Sequence, residues 1–265
     1  MTKLVAILML IFIANCKKTN QNEKKTFIFD FDETIHHSVI GYPHLIGISI
    51  FGEKKYKEKI PEIQKYYQTL KSQNNLSDVA ILQKITAKYC FKIQQKDIDY
   101  TVEELKKHLT DGIESTIDKI KSKGHKVIII GGGSYGCGVI PEVVKNLGIE
   151  KSEIYSGYFK DFTGESMSKT LFDNYRYTNC ENPDQETPKS DKKSELIKHL
   201  KKIGTISGKV VHIGDGTNDL EVWQAGQAEV FIGFGVNRIS KKVEKNAPIF
   251  VKSMVEFNKK IDELI

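Results

Sequence analysis

Phe27-Ile28-Phe29-Asp30-Phe31-Asp32-Glu33-Thr34-Ile35 decides how the rest of this 265-residue chain is read. A short apolar run of this kind reads as a buried strand, which ordinarily continues or stops at Gly or Pro. This one stops at carboxylates, which are costly to bury unless paired or bound to a metal. Alternation along a strand sends Asp30 and Asp32 toward one place at its end, and Phe29 and Phe31 the other way. Two carboxylates at the carboxyl edge of a sheet suit a divalent cation with oxygen ligands. Taken alone, the pair reads equally well as an aspartate cap on a strand-to-turn junction.

A second stretch tips the balance. Val210-Val211-His212-Ile213 is another apolar run, and it ends in Gly214-Asp215-Gly216-Thr217-Asn218-Asp219. Acids again follow a strand, here with glycines that permit close backbone approach. Asp-x-Asp-x-Thr followed far downstream by Gly-Asp-Gly-x-x-Asp resembles the haloacid dehalogenase superfamily of phosphohydrolases. The resemblance implies an α/β fold: a Rossmann-like parallel sheet with helices on both faces and an inserted helical cap domain.

Composition allows one such domain with an insertion. The net charge is +6, but all except two of the 40 basic residues are lysines, scattered among acids. That pattern describes a solvated surface, so no nucleic-acid partner is expected. At the N-terminus, Lys3 precedes the apolar residues Leu4 to Ala14. Such a helix reaches roughly 17 Å, short of the ~30 Å bilayer core, and fits a secretory signal. Ile13-Ala14-Asn15-Cys16 resembles a bacterial lipoprotein cleavage box, with Cys16 the acylated residue, although Asn15 replaces the usual small residue. An export signal with an incidental cysteine is the other reading. Residues 1–16 are thus an expected signal and 17–25 a polar tether. Both readings make an exported bacterial protein, the first a membrane-anchored lipoprotein, periplasmic or on the cell surface. Cys90, Cys137 and Cys180 are expected to be ordinary thiols, since an odd, widely spaced set gives neither a disulfide framework nor a metal spacing.

Between the motifs, residues 36–108 carry apolar residues at helical spacing over Ile60–Leu70, Asp78–Tyr89 and Thr101–Leu109, with Pro61 at a helix start. This is the expected cap; residues 26–35 and 109–265 are the expected core. A helix to Lys123, Gly124 and the strand His125–Ile130 make one crossover unit. Gly131-Gly132-Gly133-Ser134 follows, where backbone N–H groups are open to an anion. Further strands are expected at Glu153–Ser156 and Glu229–Ile232, a hairpin over Tyr158–Thr163, and a surface loop over 165–191. Helices are expected from Lys192 and from Ser253.

The last third is similar to the phosphoserine phosphatase family, through His212–Glu221 and Phe231-Ile232-Gly233-Phe234-Gly235-Val236-Asn237. Leu109–Ile113 is similar to that family's lead-in to its second motif. By that resemblance Asp30 is the nucleophile that becomes an aspartyl-phosphate, and Asp32 the general acid and base. Mg²⁺ is implied as the cofactor, held by Asp30, the carbonyl of Asp32 and Asp215, with Asp219 orienting its waters. Lys193, or its neighbour Lys192, neutralises phosphate, and Gly131, Gly132, Gly133 and Ser134 bind it. Three departures stand out: Gly131 replaces the family's Ser or Thr, Val39 its acidic residue, and no Arg occurs in 36–108. They point from phosphoserine toward another small phosphorylated metabolite, with His36, His37, Tyr42 and His44 as candidates for the cap side. Singly, each of those four reads better as a linker residue. The alternative is an anchored protein of this fold that binds phosphate esters with weak or no turnover.

Overall fold

The computed structural model describes residues 24–37, 58–59, 61–72, 81, 84–85, 88, 95–132, 136–157 and 176–265. The N-terminal signal, Cys16, Val39, Tyr42, His44, Gly133, Ser134 and the hairpin expected over Tyr158–Thr163 lie outside them. Among the described residues, no helix is long and apolar enough to cross a membrane.

The opening stretch forms β1 (Lys25–Asp30), which takes up the end of the expected tether. It lies in the middle of a seven-stranded sheet ordered β4-β3-β2-β1-β5-β6-β7. The other strands are β2 (Lys126–Gly131), β3 (Ile154–Gly157), β4 (Tyr177–Asn179), β5 (Lys209–Gly214), β6 (Val230–Phe234) and β7 (Ile249–Val251). All neighbours pair in parallel except β3 and β4. The sheet is therefore mostly rather than wholly parallel. β4 also corrects the expectation of a featureless loop over 165–191. Its three residues are too few to show a period of two, and pairing with β3 rather than propensity makes the strand.

Strand alternation sorts the core into two layers. Phe27, Phe29, Val127, Ile129, Val211 and Ile213 face one side, together with Ile113, Ile117, Phe257 and Ile261 from the helices α3 (Ile113–Ser122) and α7 (Met254–Leu264). Ile28, Ile128, Ile130 and Val210 face the other, against Leu196, Ile197 and Leu200 of α5 (Lys193–Lys202). Strands buried on both faces read as continuous apolar runs, which is why they were visible in the sequence. Gly124, at φ +79, ends the α3 turn in the left-handed region that glycine occupies without strain.

Within 36–108, residues 58–59 and 61–71 are helical (α1), so Pro61 falls after helical residues rather than at a start, and α2 spans Gln95–Lys106. The chain leaves and re-enters the core side by side. Thr110 N–H donates to Ile35 O at 2.9 Å, and His37 N–H to His108 O at 2.8 Å.

The cysteines correct another expectation. Cys137, in the first turn of α4 (Gly136–Val144), and Cys180, just past β4, form a disulfide with their Cα atoms 5.0 Å apart. Parity and spacing along the chain carried no trace of it, because the pair meets only once α4 packs beside β3 and β4. Closing a 43-residue separation is worth about 4 kcal/mol by loop entropy, and about 2–4 kcal/mol is typical. Reduction, or Cys137→Ser, is expected to lower the stability from urea unfolding by about that amount, and an unchanged midpoint would show that the bridge constrains little.

Candidate active site

Asp30 ends β1, and the register of β1 on β5 sets Phe29 beside Ile213, so the two acidic loops emerge at the same height. The chain turns outward in opposite directions on either side of this pair, the place where open α/β sheets form their crevice. Asp215 follows β5, and Asp219 sits in the first turn of α6 (Thr217–Gln224). Oxygens from Asp30, Asp215 and Asp219, all buried, lie within 4.8 Å of one another. Gly214 makes this possible: a Cβ there would lie 2.2 Å from Asp219 Cγ.

Lys193, the first residue of α5, is wholly buried beneath the cluster. Its Nζ donates to Asp30 Oδ1 at 2.5 Å and to Asp219 Oδ1 at 2.7 Å. Burial disfavours an ammonium, but the Asp219 and Asp30 carboxylates override it and hold Lys193 protonated. Asp219 is held on every side: Gly216 N–H donates to Oδ2 at 3.0 Å, and His212 Nε2 lies 3.1 Å from Oδ1. Burial alone would push the Asp219 carboxyl up; Lys193 and His212 keep it well below the usual carboxylate range. The other two carboxyls are less well served. Burial, then the Asp219 charge, pushes Asp30 well up against the pull of Lys193. Burial lifts Asp215 to about 7 despite Arg238, whose Nε and terminal nitrogen both donate to Asp215 Oδ2, at 2.8 and 2.5 Å.

The three carboxylates Asp30, Asp215 and Asp219 are buried here with two described cationic partners, Lys193 and the half-exposed Arg238. The cluster is short of positive charge, and the donor set is carboxylate oxygen. Both features fit a hard divalent cation such as Mg²⁺.

Asp32 borders the cavity, and its Oδ1 lies 3.0 Å from Nε2 of the buried His36. Directly after Asp32, Glu33 adopts φ 56, a left-handed conformation that costs a non-glycine residue of order 1 kcal/mol or more. Asn237 holds the turn, its Nδ2 donating to Glu33 O at 3.2 Å and to Thr110 Oγ1 at 2.7 Å.

Of the glycine run, Gly132 lines the cavity, and a Cβ there would lie 4.0 Å from Lys193 Cε. Gly131 is the last residue of β2. The place its side chain would take is filled, since a Cβ would lie 2.4 Å from Ile140 Cδ1 and 3.3 Å from Phe31 Cβ. An apolar branch from α4 thus occupies the space where the sequence comparison expected a hydroxyl.

The cavity has a volume of about 620 Å³, within the range of small-molecule sites. Asp30, Asp32, Glu33 and Asp215 form its floor, and Tyr67, Lys71, Ile81 and Ile85 reach it from the 36–108 segment. Lys192 and Arg238 lie on its walls. The structure therefore gathers Asp30, Asp32, Asp215, Gly132 and Lys192 around one space, with Lys193 and Asp219 directly beneath. Sequence reasoning missed the contacts of His36, His212 and Arg238. Arg238 carried a signal in its rarity, as one of two arginines; the partners of His36 and His212 are visible only in three dimensions.

The family model for haloacid dehalogenase-like hydrolases matches residues 24–226. Human phosphoserine phosphatase is 28% identical over 170 residues, 64% of this chain and 68% of that protein. The bovine enzyme is 30% identical over 157 residues, 59% of this chain and 62% of that one. A phosphoserine phosphohydrolase-like protein from Francisella tularensis superposes with a TM-score of 0.66 at 24% identity, covering 89% of this chain and 99% of that one, a likeness of fold.

Proposed function

The chain belongs to the haloacid dehalogenase-like hydrolases, and from that membership we propose a Mg²⁺-dependent phosphomonoesterase acting through an aspartyl-phosphate on Asp30. The observation that carries the reading is the buried triad of Asp30, Asp215 and Asp219 joined from below by Lys193. Both of the contacts described for Asp30, from Phe31 N–H and Lys193, fall on Oδ1, which leaves Oδ2 to meet metal or phosphorus. Asp32 protonates the departing oxygen and then deprotonates the water that hydrolyses the intermediate. Lys193 pulls Asp30 toward its anionic form against the burial that raises it, and offsets charge that builds on the phosphoryl group. Gly132 allows a phosphate to approach the backbone just above it. When bound, Mg²⁺ would be held by Asp30, Asp215 and the carbonyl of Asp32, and would supply the charge that lets a carboxylate approach an anionic ester. Asp219 has both oxygens engaged by protein groups and fits a supporting role.

Residues 36–108 are proposed as the cap. The side-by-side crossings at Ile35–His37 and His108–Thr110 support a hinged insertion, and Tyr67, Lys71, Ile81 and Ile85 bring it over the site. The proposed substrate is a small phosphomonoester other than phosphoserine, given Val39 and a 36–108 segment without arginine. Export is proposed too, supported by the apolar segment Leu4–Ala14 and by the Cys137–Cys180 bridge, which suits an oxidising compartment. Membrane attachment through Cys16 is a further part of this proposal, tested by metabolic labelling with a palmitate analogue.

Purified protein should release phosphate from 4-nitrophenyl phosphate with Mg²⁺ and stop when the metal is chelated. Activity that survives chelation would overturn the metal role. Arg238 competes with a cation for Asp215, so Arg238→Gln is expected to tighten Mg²⁺ binding by about tenfold, roughly 1.4 kcal/mol. Calorimetry with MgCl₂ alone reads this, and weaker binding would show that Arg238 chiefly orders the site.

A further inference from the structure

We propose that His36 is a positioning residue for Asp32, and that the pair equips the site for esters whose leaving group departs only when protonated. The proposal rests on the phosphomonoesterase reading and names the chemistry of its substrate.

His36 is 1% exposed, although a histidine just past the first motif would ordinarily be a solvated linker residue. Its ring packs on Phe31, with centroids 4.7 Å apart, and Phe31 is itself fully buried. The His36 backbone is pinned by bridges to Asp32 on one side and Leu109 on the other, and its N–H donates to Phe31 O at 3.3 Å. The imidazole thus has little freedom, and its Nε2 rests 3.0 Å from Asp32 Oδ1. Asp32 borders the cavity; His36 does not line it. His36 therefore acts on the cavity through a neighbour rather than by touching a ligand, and the cavity residue its ring meets is Asp32.

An unrestrained aspartate rotates about its last torsion and presents either oxygen. In the tautomer that carries its proton on Nε2, the ring donates to Oδ1, removes that freedom and assigns the exchangeable proton to Oδ2. In the first half-reaction an Asp30 oxygen bonds to phosphorus, the ester P–O bond breaks, and the Oδ2 proton passes to the departing oxygen. In the second, a water oxygen bonds to phosphorus and the bond to Asp30 breaks. Asp32 takes one proton from that water and is again the acid. A nitrophenolate leaves without help, whereas an alkoxide requires the proton. Fixing Asp32 therefore matters for alkyl phosphates and hardly at all for the attack step on activated aryl esters.

The test compares kcat/KM, which reports only steps through phosphorylation of Asp30, for ethyl phosphate and 4-nitrophenyl phosphate in the full chain with Mg²⁺. His36→Ala is expected to lose about 10²-fold on ethyl phosphate and less than about fivefold on the aryl ester, the scale of general acid catalysis. With the aryl ester it should show a burst of nitrophenol, because Asp32 must still act as base on the intermediate. His36→Asn, which keeps a side-chain N–H and a similar polarity, is expected to restore most of the alkyl activity, and it serves as the probe if the alanine variant does not fold. Equal losses on both esters, or no loss on either, in a wild-type background that hydrolyses both would overturn the role of His36 alone. A wild-type protein that hydrolyses neither would overturn the phosphatase reading and this inference with it.

Discussion

Asp30→Asn should leave the purified protein correctly folded and without measurable turnover on 4-nitrophenyl phosphate, a loss of at least ~10⁴-fold in kcat, as expected when a covalent nucleophile is removed. The amide has the shape of the carboxylate but no oxygen able to attack phosphorus. Stability separates this chemical loss from a structural one. Asp30 is pushed well above its ordinary pKa by burial and by the Asp219 charge, so its ionised form is disfavoured in the fold. Neutralising it relieves that repulsion while Lys193 keeps its contact with Asp219 at 2.7 Å. The variant should therefore unfold within a few degrees of the wild type. Retained turnover at the wild-type rate would remove the aspartyl-phosphate mechanism.

Lys193→Met should have the largest effect on the fold. The methionine fills most of the same space, but it leaves Asp30 and Asp219 buried beside each other without their shared cation. Breaking a buried ion pair by removing one partner costs about 3–5 kcal/mol. For a chain of this size that is a fall in Tm of roughly 10 °C. Saturating Mg²⁺ should recover part of the loss, because a metal on the same carboxylates replaces some of the missing charge. Turnover should fall as well, even where the protein is kept folded by cold and metal. A variant that unfolds at the wild-type temperature with and without Mg²⁺ would show that the triad is not short of charge, and the argument for a metal would fall with it.

The two predictions draw on different kinds of legibility. Asp30 was legible because a strand of apolar residues that ends in acids is a contradiction within the sequence, and a second such contradiction at Asp215 and Asp219 resolves it. Lys193 was not legible in that way. A lysine opening a helix is ordinarily solvated, and only the family resemblance singled it out. Its complete burial follows from α5 packing across the sheet with its N-terminus under β1, a placement that no local pattern encodes. Gly131 shows the same limit from the other side. Its identity could be compared with a motif, but the occupation of its side-chain space by Ile140 depends on how α4 docks.

The sequence alone determined the continuous apolar runs that bury β1, β2, β5 and β6 on both faces, the order of the acidic motifs, and the helical segment between them. Those properties are periodic or compositional and act over a few residues, so they survive being read in one dimension. Tertiary structure alone decided the Cys137–Cys180 bridge, the antiparallel β4, the grip of Arg238 on Asp215, and the contact of His36 with Asp32. Each depends on the distance between groups whose separation along the chain is unrelated to their separation in space, or on the direction in which a turn aims a ring. Side-chain chemistry can be listed from a sequence; which groups share a charge, a proton or a sulfur is set when the sheet and its helices close upon one another.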